Sequence, residues 1–254
     1  MLERPGQYAD DRETSVVCHE SGFMREKVVV FTGAGVSAES GLRTFRDMGG
    51  YWREYSIESV ASHGGWKANP QAVLEFYNER RNAVLRASPN AAHSAISALE
   101  AKFDVVVITQ NIDDLHERAG STNVLHVHGE ILKARSSVDP SLIYPLATAM
   151  IEMGQLCEHG SQLRPDVVWF GETVRFMDEA AIEFGRASRI LTIGTSLSVY
   201  PAAGLVSKGK PSAEKYLVAP EIDYLPPGYQ FFPGKAAVIV PHIAKCWLDG
   251  RKPC

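Results

Sequence analysis

The 254-residue chain has four cysteines, Cys18, Cys157, Cys246 and Cys254. They are too few and too scattered for a disulfide framework, and a reduced, cytoplasmic setting is expected. No apolar run approaches the length of a membrane span, so a membrane partner is not expected. The first residues, MLERPGQYADDRETSVV, are polar and acidic and hold no signal-peptide core, which argues against export. Charge of one sign is not in large excess. With 26 Lys and Arg against 30 Asp and Glu, the net charge is −4, and no nucleic-acid partner is expected. Internal repeats and low-complexity segments are missing too. What remains is 45% hydrophobic and 22% charged, the make-up of a folded globular chain. Its length suits one large domain with a smaller insertion.

The stretch VVVFTGAGVSAESGLRTFRD, from Val28 to Asp47, organises the chain. VVVF reads as a buried parallel strand. Gly33, Ala34, Gly35 and Ala38 follow as G-x-G-x-x-A, the phosphate-binding turn of a dinucleotide fold opening into a helix N-terminus. A tight turn without a ligand is the plainer alternative. A hydride-transferring enzyme would next show a strand ending in Asp or Glu to hold the adenine ribose. Here SGLRTFRDMGGYWREY follows instead, and Phe45 and Arg46 sit in a loop over the phosphate site. An aromatic and a cation placed there suggest a dinucleotide that is consumed.

The rest of the chain alternates strands, loops and helices. Residues 1–25 read as a tail, and 26–254 as the folded domain, with small-module segments near 36–90 and 130–165. A helix is expected from Pro70, with Asn69 as its cap and Val73, Leu74, Tyr77, Val84 and Leu85 as its apolar positions. A second helix runs from Ser88-Pro89 to Glu100, with His93 in a packing or capping role. FDVVVIT (103–109) is a second buried strand. Gln110, Asn111 and Asp113 stand at its carboxyl end, where ligands gather in open α/β sheets. Turn and capping duty is the alternative for Asn111 and Asp113. His126 and His128 lie two apart on a short strand, hence on one face. No third metal ligand is placed by spacing, and His128, just before Gly129, suits a general base. VVWF (167–170), RILTIGT (189–195), KYLVAP (215–220) and AAVIV (236–240) complete the strand candidates. The fold class is α/β, a doubly wound Rossmann-like parallel sheet with a smaller inserted module.

GAGVSAESGLRTFRD, TQNIDDLHERAG, HVHGE, VVWFGE and GTSLSVYPA occur in this order. Together they resemble the sirtuin family of NAD-dependent protein deacylases. The resemblance covers most of Lys27 to Val240. It implies that Gly33, Ala34, Gly35 and Ser37 hold the NAD phosphates and that Phe45 and Arg46 lie on a mobile cofactor loop. Gln110, Asn111 and Asp113 would line the nicotinamide and ribose pocket. His128 would be the general base, with Asn111 beside it in catalysis, and Gly194, Thr195 and Ser196 would meet the adenosine half. Val168, Phe170 and Gly171 would pair with an extended peptide bearing the acylated lysine. The implied products are free lysine, nicotinamide and O-acyl-ADP-ribose. A mono-ADP-ribosyltransferase and a non-catalytic NAD-binding module are the alternatives.

Two departures from the family and one likeness to a branch of it individualise the chain. The family usually fixes its small module with zinc on four cysteines, whereas here Cys157 stands with only His159 and Ser161 nearby. One cysteine cannot build a tetrahedral thiolate site, so zinc is expected to be absent. Packing of Leu142, Ile143, Tyr144, Leu146, Met150 and Ile151 is expected to replace it. Ala219 stands where the family commonly has Asn or Asp. Finally, Tyr77 and Arg80 are neighbours at i, i+3 on one helix. With T-F-R in the cofactor loop, this Y-x-x-R pair is similar to the sirtuin branch that removes succinyl and malonyl groups. A solvated helix face is the alternative for that pair.

Overall fold

The structure, a computed structural model, describes residues 25–44, 49, 51–52, 54–146 and 150–254. Phe45 and Arg46, and most of the expected tail, lie outside the described residues. The strands are β1 (Lys27–Thr32), β2 (Tyr51–Trp52), β3 (Tyr55–Ser56), β4 (Asp104–Thr109), β5 (Val124–His126), β6 (Gly129–Ser136), β7 (Ile143–Pro145), β8 (Leu163–Val167), β9 (Arg189–Ile193), β10 (Glu214–Ala219) and β11 (Gln230–Pro233). The α-helices are α1 (Ile57–Val60), α2 (His63–Ala68), α3 (Pro70–Arg86), α4 (Ala91–Ala98), α5 (Leu115–Arg118), α6 (Met177–Arg186) and α7 (Ala236–Leu248).

Six strands form the main sheet in the order β11-β10-β9-β1-β4-β5, and every pairing in it is parallel. β1 explains why the sheet is covered on both faces. Val28 and Val30 point into one core with Ala92 and Ile96 of α4 and Val240, Ile243 and Trp247 of α7. Val29 and Phe31 point into the other, with Ala180 and Phe184 of α6. Alternation along an all-apolar strand thus feeds two layers, as parallel crossovers require. The doubly wound α/β expectation holds. Chain order reverses at β1, between β9 and β4, which opens a crevice at the carboxyl ends of these strands.

The smaller module is an antiparallel sheet, β7-β6-β8, packed with α1 to α3. α3 starts where Asn69 accepts the Ala72 amide at 3.0 Å and Pro70 takes the first turn. Leu85, expected on its apolar face, is 49% exposed. α4 starts on a capping box in which the Asn90 amide donates to His93 Nδ1 at 3.2 Å. His93 therefore has the capping role expected of it.

Three expectations need correction. AAVIV is not a strand but the first turns of α7, whose buried Ala236, Val240, Ile243, Ala244 and Trp247 follow helical spacing. A short apolar run does not by itself distinguish helix from strand. The last strand is QFFP, β11. The VVWF strand ends at Val167 and starts earlier, at Leu163. Packing of 142–151 is also looser than expected. Ile143 and Met150 are more than two-fifths exposed, while Ile151 alone of the group is buried, against Leu74 and Ala134. β7 lies at the edge of a three-stranded sheet, so its side chains have few elements to pack against.

Candidate active site

The turn after β1 differs from a dinucleotide-binding helix start. Residues 34–36 and 38–40 are two short 3-10 turns, not an α-helix. Gly33 and Gly35 are needed for contact with another loop. A Cβ on Gly35 would come within 2.6 Å of Gly194 Cα, and one on Gly33 within 2.8 Å of Thr195 Cβ. Their amides donate to the carbonyls of Ile193 (3.0 Å) and Gly194 (2.8 Å). These two N–H groups are therefore engaged within the protein, and the glycines lock the loops after β1 and β9 together. Gly194 turns at φ +60° in the same contact.

This locking puts Ser37 at the centre of a buried polar cluster. Ser37 is 1% exposed, and its hydroxyl donates to Asp113 Oδ2 at 3.1 Å. Asn111 Nδ2 donates to Ser37 Oγ at 3.1 Å, and His93 Nε2 lies 3.4 Å away. Burial raises the Asp113 carboxyl, and its bonds from Leu115 and Ser37 hold it back. Beneath the cluster, Thr32 donates to Thr109 at 2.7 Å and stands 3.1 Å from His116 Nε2. Sequence reasoning missed Thr32, Thr109 and His116; their signal was their place at the carboxyl ends of β1 and β4 and on α5. Burial alone drives His93 down to about 4, and it also drives His116 well below the ordinary imidazole value.

His128 bonds the loop that carries Asn111 and Asp113. Its Nδ1 lies 3.1 Å from the Gln110 carbonyl. A carbonyl only accepts, so Nδ1 carries the proton and Nε2 is left with a free lone pair. Burial lowers the imidazole below its ordinary value, so it is neutral near pH 7. His126 differs. Strand β5 ends there, so strand alternation does not reach His128. His126 Nδ1 bonds the Asn111 carbonyl (3.0 Å) and Nε2 bonds Glu117 (2.7 Å). Both its ring nitrogens are engaged, so it positions the 110–113 loop. Gln110 Nε2 donates to Thr195 Oγ1 at 3.0 Å, which ties the loops after β4 and β9. Ser196 pairs with Ser198 at 2.6 Å, at the exposed rim.

Tyr77 and Arg80 come together on α3. Tyr77 is buried, and burial holds its hydroxyl far above the ordinary range. Burial lowers the Arg80 guanidinium, while Tyr77 and Asp113 pull the other way. The two residues stand one turn apart on α3. Beyond β8, the Val168 amide donates to the His128 carbonyl (2.8 Å) and the Phe170 amide to Ala61 (2.9 Å). Gly171 turns at φ +89° with open space around it. Glu172 anchors this stretch. It accepts the Trp169 amide and Arg135 Nη2 at 2.8 Å each, Arg164, and His63 Nε2 at 2.9 Å. The sequence reading left out this network, because Arg135 and Arg164 reach Glu172 only when β6 pairs with β8.

The residues around Cys157 do not suit zinc. Cys157 Sγ lies 3.3 Å from Ser136 Oγ and 3.1 Å from Ser161 Oγ, and the two hydroxyls are 3.1 Å apart. These groups satisfy one another, and the bonds from Ser136 and Ser161 bring the thiol down to about 7. One thiol and two hydroxyls are not the four thiolate or imidazole ligands of a structural site. Among the described residues no group of three or more His, Cys, Asp or Glu could hold a metal ion. No helix among them is long and apolar enough to cross a membrane.

The comparisons agree with this architecture. The Sir2 family model matches residues 33–201, from the glycine turn to the loop after β9. An NAD-dependent protein deacylase of Helicobacter pylori (strain J99 / ATCC 700824) is 48% identical over 196 residues, 77% of this chain and 83% of that one. The protein of the same description from Bacteroides thetaiotaomicron is 46% identical over 201 residues, 77% of this chain and 86% of that one. A solved Sir2 homolog–NAD complex superposes with a TM-score of 0.79 at 36% identity, covering 88% of this chain and 90% of its own. A Sir2 bound to acetylated peptide superposes at 0.71 with 27% identity, covering 89% of this chain and 94% of its own. On both the family match and the identity to these relatives, this chain belongs to the Sir2 family.

Proposed function

We propose that this chain is an NAD-dependent protein-lysine deacylase that prefers acyl groups ending in a carboxylate, succinyl and malonyl, over acetyl. The support for deacylation is the arrangement of His128. Its tautomer is set by Gln110 and its charge is removed by burial, and the residue after Gln110, Asn111, is bonded to Ser37, which donates to Asp113. NAD, when bound, supplies a ribose carbon activated by its nicotinamide leaving group. Gly33, Ala34, Gly35 and Ser37 would hold the phosphates, with the Ala34 amide donating, since the two glycine amides and the Ser37 amide and hydroxyl are engaged within the protein. Thr195 and Ser196, on the loop turned by Gly194, would meet the adenosine. Asn111 and Asp113 would orient the ribose; Phe45 and Arg46, which would also contact the cofactor, lie outside the described residues. His128 Nε2 takes a proton from a ribose hydroxyl. The acylated-lysine peptide would lie along Val168, Phe170 and Gly171, displacing the Phe170–Ala61 pairing or using Gly171 and the nearby carbonyls.

The support for acid selectivity is the Tyr77–Arg80 pair. A terminal carboxylate in a partly dry pocket needs a cation and a donor. Arg80 offers a forked pair and Tyr77 a hydroxyl. Charge-assisted hydrogen bonds of about 1.5–3 kcal/mol each, discounted for desolvation, correspond to roughly 10²-fold in selectivity. We propose also that the small module holds without zinc, through the Ser136–Cys157–Ser161 cluster and the Glu172 ion network. The test incubates the protein with NAD and matched succinyl-, malonyl- and acetyl-lysine peptides. Nicotinamide release, peptide deacylation and ADP-ribose attached to protein are each counted. Deacylation should match nicotinamide release, with kcat/KM highest for the acid acyl groups. Arg80→Met and Tyr77→Phe should erase most of that preference, with acetyl turnover falling less. Better removal of acetyl than succinyl would leave a plain deacetylase, and ADP-ribose on protein would mean a transferase.

A further inference from the structure

Residues 169–172 form a tight turn that Glu172 closes from both ends. The Glu172 amide donates to the Trp169 carbonyl at 3.0 Å, and the Glu172 carboxylate accepts the Trp169 amide at 2.8 Å. Gly171 has φ +89° while Phe170 has no positive φ, which is the type II form. Both backbone polar groups of Trp169 are thereby turned back into the protein. Among the described residues, the Val168 carbonyl and the Gly171 amide and carbonyl make no hydrogen bond. The carboxylate that closes the turn is itself anchored to the sheet. Arg135 of β6 and Arg164 of β8 are register partners, and like charges directly opposite one another repel. Glu172 bridges them: Arg135 Nη2 bonds both of its oxygens at 2.8 Å, and Arg164 Nη2 bonds Oε1. His63, which opens α2, places Nε2 2.9 Å from the same oxygen.

We infer that Glu172 is a positioning residue for the substrate peptide: by closing the turn at 169–172 it holds the Val168 carbonyl and the Gly171 amide and carbonyl where the backbone of an acylated peptide can pair with them. The inference rests on the reading that the peptide lies along Val168, Phe170 and Gly171, and it names the side chain that keeps this stretch in shape. Pairing with an extended peptide needs donors and acceptors presented at fixed places. A carboxylate suits the anchoring task because it only accepts, and every group aimed at it donates. Two guanidiniums, one imidazole N–H and one backbone amide can share its two oxygens. A glutamine has one acceptor oxygen and an NH₂ group, which would face a donor. Glu172 therefore acts on peptide binding through the backbone, and not on the acyl group or the ribose.

The test compares two substrates on the full chain, both carrying the acyl group that wild type removes fastest. One is an acyl-lysine peptide, and the other is a single acyl-lysine blocked at both ends, with no neighbouring residues to lie along this stretch. Glu172→Gln should raise KM for the peptide by about 10-fold, the effect of one hydrogen bond to a charged group. Its kcat at saturating peptide, its KM for NAD and both constants for the single acyl-lysine should stay near wild type. An unchanged peptide KM overturns the inference. So does an equal rise for both substrates or a fall in kcat alone, since a general loss of structure would do the same. If Glu172→Gln fails to fold, His63→Phe decides. The His63 side chain is 56% exposed and meets the Trp169 ring edge-on at 5.5 Å, so a phenyl ring can replace it while losing the bond to Glu172. This variant should raise the peptide KM by about 2- to 3-fold, as for one neutral hydrogen bond, and leave the single acyl-lysine unchanged. No change, or the same change in both, overturns the inference. A wild type with equal KM for the two substrates removes the peptide stretch and this inference with it, while deacylation stands. A wild type that deacylates neither removes the proposed function.

Discussion

His128 shows how one backbone contact sets a chemical role. The Gln110 carbonyl fixes its tautomer, and burial keeps it neutral. His128→Ala should lower kcat by roughly 10²–10⁴-fold while the protein still folds and binds NAD. Steady-state kinetics, a thermal melt and NAD titration check each part, and near-wild-type turnover would remove His128 from the chemistry. The pH profile carries a second expectation. A base works unprotonated, and this imidazole is shifted down from 6.5. The acid limb of kcat/KM, where it reports His128, should therefore fall below pH 6.5. Residues that support the base act through position. His126 is shifted up overall, because its bonds to Glu117 and Asn111 outweigh the burial that would lower it.

Among the elements, the contact between the loops after β1 and β9 tolerates the least change. Gly35→Ala would drive a methyl group into the Gly194 backbone, where no flexible side chain can give way. It should destabilise the fold by about 1–3 kcal/mol, as overpacking does. Gly64→Ala, on α2 with nothing nearer than Ser62 Oγ at 3.7 Å, should be nearly neutral. Urea denaturation of both variants tests the contrast, and equal midpoints would show that the loops are not locked. The β6–β8 pairing is held differently. Its arginines converge on Glu172, and Ser136 and Ser161 bridge it beside Cys157. Protein purified and dialysed without chelator should carry far less than one zinc per chain and should keep its melting temperature in a strong chelator. Tightly held stoichiometric zinc would overturn that proposal.

For the whole molecule, the buried imidazoles set the acid limit of stability. His93 is buried and shifted down to about 4. The unfolded chain takes up that proton near pH 6.5, while the folded chain does not until about pH 4. Its contribution is therefore complete above pH 6.5 and is lost as pH falls toward 4. The loss amounts to roughly 3 kcal/mol at 1.36 kcal/mol per pKa unit. His116, shifted in the same direction, adds to it. His93→Gln can keep the capping box and removes the titration. Its unfolding free energy should fall less steeply than wild type between pH 6.5 and 4. Parallel slopes in urea titrations across that range would show that His93 does not limit acid stability.

The sequence by itself determined the doubly wound sheet, since VVVF, VVVIT and RILTI are continuous apolar runs that need cover on both faces. It also determined the capped starts of α3 and α4, because Asn69-Pro70 and Asn90 with His93 act within one turn of chain. The polar residues at strand ends were legible for a similar reason, as β1, β4 and β9 deliver them to one crevice whatever the loops do. The tertiary structure alone decided the rest. Whether AAVIV became strand or helix depended on which face had a partner, and α7 found its partner in α4 and the sheet. Whether Gly33 and Gly35 meet a ligand or a neighbouring loop depended on where Gly194 arrives, some 160 residues later. The Glu172 network exists only after β6 and β8 pair, because hydrogen bonds between distant side chains leave no periodic trace in the chain.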